Sequence, residues 1–168
     1  FIIYLGKNDF LKIRKTHKDD WESIKKIYTL GLNTGVASFE TEVSKTYEDW
    51  FKKFDKENVF VGEIEKEIVG WITLSKVSSR CCYEGVGEVS IYMHPMHQRN
   101  GFATLLYNHL EKNASSSGYW TIQAQLFTEN TASKSLFESL QFRQVGIREK
   151  IGKYKDKWVD NYLYEKNI

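Results

Sequence analysis

The spacing of apolar positions along the chain changes period several times, and each change marks an element. An extended run covers Leu11 to Arg14, after which Thr16 and Asp19 form a capping-box-like start to a helix. Within that helix Trp21, Ile24, Ile27 and Tyr28 recur at helical spacing. Tyr47, Trp50, Phe51 and Phe54 form an i, i+3, i+4, i+7 stripe and predict a second helix. The stretch between them, Gly31 to Glu42, has few charges, carries Phe39 and reads as a loop. Val59 to Ile64 and Ile68 to Val77 predict two antiparallel strands around a turn containing Lys66 and Glu67.

The centre of the chain carries the most information. Val89, Ile91 and Met93 alternate with Glu88, Ser90 and Tyr92, giving a strand with one apolar and one functional face. Gly101 opens a helix striped by Phe102, Leu105, Leu106, His109 and Leu110 that ends near Gly118. Trp120, Ile122, Ala124 and Leu126 then alternate with Thr121, Gln123 and Gln125. Strand, helix and strand at these lengths make a right-handed crossover, so the two strands should be parallel. A helix from about Thr131 to Leu140 and strands near Phe142 to Ile151 and Trp158 to Glu165 complete a mixed α/β order. No repeat or linker divides it, and residues 1–168 read as one domain.

A formal charge of +2, with lysines scattered among nearly as many acids, gives nucleic acid no basic footprint. No apolar run approaches the ~20 residues that cross a bilayer. The apolar start, Phe1 to Leu5, is too short for a secretory core, and the missing initiating Met places the natural start upstream or marks processing. The two cysteines, Cys81 and Cys82, are neighbours and form no disulfide framework, so a reducing, cytoplasmic home is expected. His94 and His97 flank Pro95 in a loop without a carboxylate or thiol at ligand spacing, and no metal is expected.

Between the central strand and its helix lies Met93-His94-Pro95-Met96-His97-Gln98-Arg99-Asn100-Gly101-Phe102-Ala103. A helix start offers unpaired N–H groups and the positive end of a dipole. Gly101 and Ala103 let that backbone come close to an anion, and Arg99 adds a mobile charge. The plainer reading makes Gly101 a turn residue. The G-x-x-x-x-G-K-[ST] loop is absent, and Gly85-Val86-Gly87 precedes a strand instead of following one.

These residues resemble the GNAT acetyltransferases, whose signature is Q/R-x-x-G-x-G/A after the fourth strand. More narrowly, the chain resembles the branch of phosphinothricin and methionine sulfoximine N-acetyltransferases. The similarity runs through Ser38-Phe39-Glu40-Thr41-Glu42, Trp50, Glu88 to Met93, His97 to Gly101, Leu105-Leu106, Glu129-Asn130, Ala132-Ser133 and Phe142-Arg143, and continues to Lys157-Trp158-Val159-Asp160. It implies the GNAT (acyl-CoA N-acyltransferase) fold, a mostly antiparallel sheet with one parallel, splayed strand pair and flanking helices. It also implies acetyl-CoA as co-substrate and a homodimer. Backbone of Ile91, Tyr92 and Met93 would pair with the pantetheine arm. Gln98, Arg99, Asn100, Gly101, Phe102, Ala103 and Thr104 would hold the pyrophosphate, with Asn130 and Ser133 on the pantetheine side. Asn130 also suits a plain helix cap.

Acetyl transfer needs a neutral amine, and amines are mostly protonated near pH 7, so a base must take a proton. Glu88 matches the glutamate with that role in the resembling branch. A strand N–H near Ile91 to Met93 would stabilise the developing oxyanion. Many GNAT enzymes carry a tyrosine after the asparagine as proton donor, and the resembling branch often a histidine. Here that position is Phe137, which leaves a water, Tyr92 or no dedicated acid. Gln141 stands where a glycine is usual. Arg80 and Tyr83 match residues of the branch and suit a carboxylate-bearing acceptor, with Phe39 as an apolar wall and Val89 and Ser90 beside it. The expected reaction is acetylation of a small amino-acid-like amine. Its alternatives are a protein N-terminus or peptide amine as acceptor, or a non-catalytic acyl-CoA-binding module.

Overall fold

The computed structural model describes residues 2–4 and 10–168, so the apolar start at Phe1 to Leu5 lies partly outside the described residues. In chain order the elements are β1 (Ile2–Tyr4), β2 (Phe10–Lys15), α1 (Trp21–Leu32), α2 (Tyr47–Phe51), β3 (Val59–Ile64), β4 (Glu67–Lys76) and β5 (Val86–Met93). They continue with α3 (Phe102–Ser116), β6 (Thr121–Phe127), α4 (Thr131–Ser139), β7 (Arg143–Tyr154) and β8 (Lys157–Asn167). The strands form one sheet in the order β1-β2-β3-β4-β5-β6-β8-β7. Every neighbouring pair is antiparallel except β5 with β6.

One apolar layer lies on each face of this sheet. On the first, α1 and α2 bury Trp21, Ile24, Ile27 and Trp50 against Val59, Val61 and Trp71. On the other, Phe102, Leu106 and Leu110 of α3 and Phe137 of α4 pack on Phe60, Ile72, Leu74, Ile122 and Ala124. Alternation along β3 to β6 sends successive side chains to opposite layers, as the period of two requires.

Several local expectations shift in the folded chain. The cap before α1 falls one residue later than Thr16 and Asp19: the Asp20 carboxylate accepts from the His17 N–H at 2.7 Å and from Arg14 Nη1 and Nη2 at 2.8 Å each. Thr16 instead shares a hydrogen bond with Tyr47 Oη at 2.8 Å. Helix α2 is only five residues long, and Phe54 lies beyond it, although its ring still meets Trp50 at 5.1 Å. The β3–β4 turn is Glu65-Lys66, at φ +49° and +72°, because a two-residue hairpin needs left-handed backbone at both positions. Trp120 precedes β6 and is 46% exposed, covering Gly85 instead of joining the core. His109 is half-buried with its ring edge-on to Phe60, not fully packed. Strands β7 and β8 run longer than expected, and Gln141 adopts φ +66° in the turn before β7, the conformation a glycine would take without strain.

Burial opposes ionisation of Asp20, but the hydrogen bonds from Arg14 and His17 outweigh it and hold the carboxyl below its ordinary range. A depressed carboxyl contributes stability above its unfolded pKa and loses it as pH falls through the folded value. Asp20→Asn should therefore lower the urea midpoint at pH 7, and the gap from wild type should shrink below about pH 4. A gap that persists unchanged at pH 2 would assign the effect to packing.

Candidate active site

The parallel ladder between β5 and β6 is short. Val86, Gly87 and Glu88 pair with Thr121, Ile122 and Gln123 in turn, and pairing then stops. Beyond Glu88, β5 stays hydrogen-bonded to β4 as far as Met93 opposite Gly70, and β6 stays paired with β8 as far as Phe127 opposite Asn161. The sheet therefore opens between two strands that are each held on their other side.

A cleft of about 420 Å³ lies on the α3/α4 side of this opening. Ile91 and Met93 line it from β5, Ala132, Ser133 and Leu136 from α4, and Gln98, Arg99, Gly101, Phe102, Ala103 and Thr104 from the loop and first turn of α3. The backbone turns left-handed at Arg99 (φ +62°) and at Gly101 (φ +76°), and no side chain caps α3. The first N–H groups of a fifteen-residue helix are thus free to meet an anion. The Phe102 side chain is buried in the core, leaving its backbone to the loop. Asn100 faces a neighbouring depression instead of the cleft. A polar arm with a pyrophosphate fits this arrangement: unpaired strand edge at one end, free helix N–H groups at the other.

A second cavity, of about 240 Å³, lies on the α1/α2 side. Glu88, Ser90 and Tyr92 enter it from β5, with Val89 contributing at its wall. Tyr92 thus turns its side chain to this cavity while Ile91 and Met93 face the cleft. The ring of Tyr92 stacks on Trp71 at 4.6 Å and meets Tyr28 edge-on at 4.9 Å. Burial pushes its hydroxyl well above the ordinary tyrosine range, the Glu40 charge adds to this, and it donates to the Ala37 carbonyl at 3.4 Å. Phe39 stands in the loop after α1, its ring 4.6 Å from Phe127. A Cβ on Gly152 would come within 2.8 Å of that ring, so the missing side chain makes its seat.

Glu88 Oε2 accepts from Gln123 Nε2 and from Gln125 Nε2, each at 2.7 Å. Neither glutamine was singled out in the sequence, although both lie on the polar side of the β6 alternation. Glu40 also lines the cavity, accepting from Tyr28 Oη at 2.6 Å and Lys53 Nζ at 2.9 Å. Asn161 is 4% exposed, and its Oδ1 has no partner among the described residues.

The remaining expected residues fall elsewhere. Arg80 and Tyr83 do not line the cavity: they sit on an exposed single turn, where the guanidinium packs on the Tyr83 ring at 5.7 Å. Cys81 and Cys82 on the same turn are exposed and unbridged. Asn130 caps α4, accepting from the Ser133 N–H at 3.0 Å, and its Nδ2 donates to the Val36 carbonyl at 3.2 Å. Phe137 is buried against Phe142.

A sheet opened beside an uncapped helix, with a carboxylate at the fork, is a frame for carrying an acyl thioester to an acceptor. The model of the Acetyltransferase (GNAT) family matches residues 16–142, and the chain belongs to that family as an acetyl-CoA-dependent N-acetyltransferase. It is similar to a phosphinothricin N-acetyltransferase of Streptomyces viridochromogenes, at 24% identity over 94% of this chain and 88% of that one. Among solved structures it resembles an N-acetyltransferase from Staphylococcus aureus Mu50, at 26% identity, TM-score 0.84, and coverage of 94% and 98%. A phosphinothricin acetyltransferase from Sinorhizobium meliloti, solved in complex with acetyl-CoA, shares the fold at 22% identity and TM-score 0.84, with coverage of 94% and 88%.

No atom stands within 4 Å of a Cβ built on Gly101, so a substitution there meets backbone strain and no clash. Gly101→Asn, whose side chain tolerates left-handed backbone, should keep acetyl-CoA binding within a few-fold of wild type, whereas Gly101→Val should weaken it at least about tenfold. Titration calorimetry checks this, and equal affinities for the two variants would show that the left-handed turn does not govern the site.

Proposed function

We propose that the protein transfers the acetyl group of acetyl-CoA to the primary amine of a small amino-acid-like acceptor, with Glu88 as general base. The observation that carries this reading is the place of Glu88. It stands at the fork where β5 leaves β6, in the acceptor-side cavity, with one oxygen held by two amides. Bound acetyl-CoA supplies an activated acetyl thioester on the other side of the opening. Glu88 takes the amine proton, directly or through one water, as the nitrogen bonds to the acetyl carbon and the C–S bond breaks. Backbone N–H groups on the open edge of β5, between Ser90 and Met93, are placed to receive the charge that develops on the acetyl oxygen. Phe137 has no proton to give and Tyr92 spends its own on Ala37, so water is the proton source for the leaving thiolate.

The cavity size and its cover support a small acceptor over a peptide. Ala37 to Glu40 line it from the loop after α1, and that loop is tied down by Asn130 to Val36 and by Tyr28 to Glu40. The named activity of the Streptomyces viridochromogenes relative points the same way. A pairing with a second copy is also proposed. The exposed Val145, Ile147 and Ile151 on edge strand β7 support it, and the exposed thiols of Cys81 and Cys82 suit a reducing cytoplasm.

Release of CoA thiol from acetyl-CoA, measured over free amino acids, methionine sulfoximine, phosphinothricin, polyamines and short peptides, tests the reading. Turnover should be confined to the amino-acid-like amines, and Glu88→Gln should lower kcat by ~10²-fold or more with acetyl-CoA affinity intact. Near-normal turnover in that variant would remove Glu88 from the chemistry. Turnover of peptides alone would replace the acceptor class.

A further inference from the structure

We infer that Arg148 is a positioning residue for Glu88, acting through the Gln125 side chain; the inference rests on the reading of Glu88 as base. Three strands bring these groups together. Gln123 stands opposite Glu88 in the parallel register, and Gln125 follows two residues along β6 on the same face. Strand β8 pairs Gln125 with Leu163 and Asn161 with Phe127, while β7 pairs Arg148 with Asn161. Arg148 thus reaches from the edge strand across β8, and its Nη1 donates to Gln125 Oε1 at 2.9 Å.

That contact decides which end of the amide meets the carboxylate. A glutamine amide has nearly the same shape in its two flipped orientations, but only Nε2 can donate to Glu88. With Oε1 turned inward, two acceptor oxygens would face each other. A guanidinium donates and never accepts, so Arg148 selects the orientation with Oε1 outward and Nε2 on Glu88 Oε2. Gln123 fills the same oxygen from the other side. Among the described residues no side-chain donor meets Glu88 Oε1, which is left to receive the proton. Arg148 is exposed, so its contact adds little to global stability; its effect lies in orientation.

Arg148→Met, Arg148→Lys, Gln125→Leu and the Arg148→Met/Gln125→Leu double variant should be compared with wild type and Glu88→Gln. With the best acceptor of the amine panel and saturating acetyl-CoA, Arg148→Met should lower kcat about tenfold or more while acceptor KM moves less than about twofold. Arg148→Lys, which keeps a donor, should recover most of the loss. The double variant should be no slower than Gln125→Leu alone, since both act on one link. In 15N-labelled protein without acceptor, the Gln125 side-chain amide, identified by its loss in Gln125→Leu, should shift in Arg148→Met. An unchanged kcat and amide signal, losses that multiply in the double variant, or a raised acceptor KM at normal kcat would each overturn the inference. Normal turnover of Glu88→Gln would overturn it together with the base; an inactive Glu88→Gln beside a normal Arg148→Met would overturn it alone.

Discussion

Parallel hydrogen bonding between β5 and β6 ends at Glu88 and Gln123, although β5 continues to Met93 and β6 to Phe127. Neither strand frays there, because β4 holds one and β8 holds the other. The facing edges keep N–H and C=O groups that no strand satisfies, and burying such groups unpaired costs about 1–3 kcal/mol each. The gap therefore has to remain open to water or receive a polar chain. The uncapped start of α3 lies at one end of the gap and the Glu88 carboxylate at the other. Every functional assignment above depends on that opening.

Because β5 alternates, the strand lines the cleft on one face of the sheet and the cavity on the other with different side chains. Ile91 and Met93 turn to the cleft; Glu88, Ser90 and Tyr92 turn to the cavity. The aromatic wall behind them is fixed by packing. Tyr92 stacks on Trp71, Trp71 meets Trp50 edge-on at 5.3 Å, and Gly31 lets α1 approach where any Cβ would come within 2.5 Å of the Tyr92 ring. A wall so constrained fixes the shape of the cavity on this side of the sheet.

The period of the apolar residues made the central strand, helix and strand legible, and Gly101 marked the loop because glycine takes φ +76° at less cost than any residue with a Cβ. Local signals failed where tertiary pairing decides. Glu65-Lys66 is a left-handed turn with no Asn or Gly to announce it, and Phe54 completes a helical stripe although α2 has already ended. Gln123 and Gln125 were visible as polar positions, but their carboxylate lies some 35 residues back along the chain. Only the parallel register joins them. Arg148 is further removed, since its contact with Gln125 needs the β8 crossing as well. Arg80 and Tyr83 matched by resemblance, yet their place on an exposed turn depends on the path of the β4–β5 loop, which no periodicity encodes.

The partners around Glu88 suit the role of base proposed for it. A carboxylate taken partly out of water loses several kcal/mol of hydration unless donors replace it. Two hydrogen bonds to a charged acceptor, worth about 1.5–3 kcal/mol each, offset much of that loss. A lysine or arginine could supply the same donors, but it would also place a countercharge beside the carboxylate and make it a weaker proton acceptor. Amides donate without that charge, and the Arg148 guanidinium is kept one amide away. Both amides sit two residues apart on one face of one strand, so the sheet itself fixes their spacing. The carboxylate is thereby oriented by the central sheet, and not by the loops over the cavity.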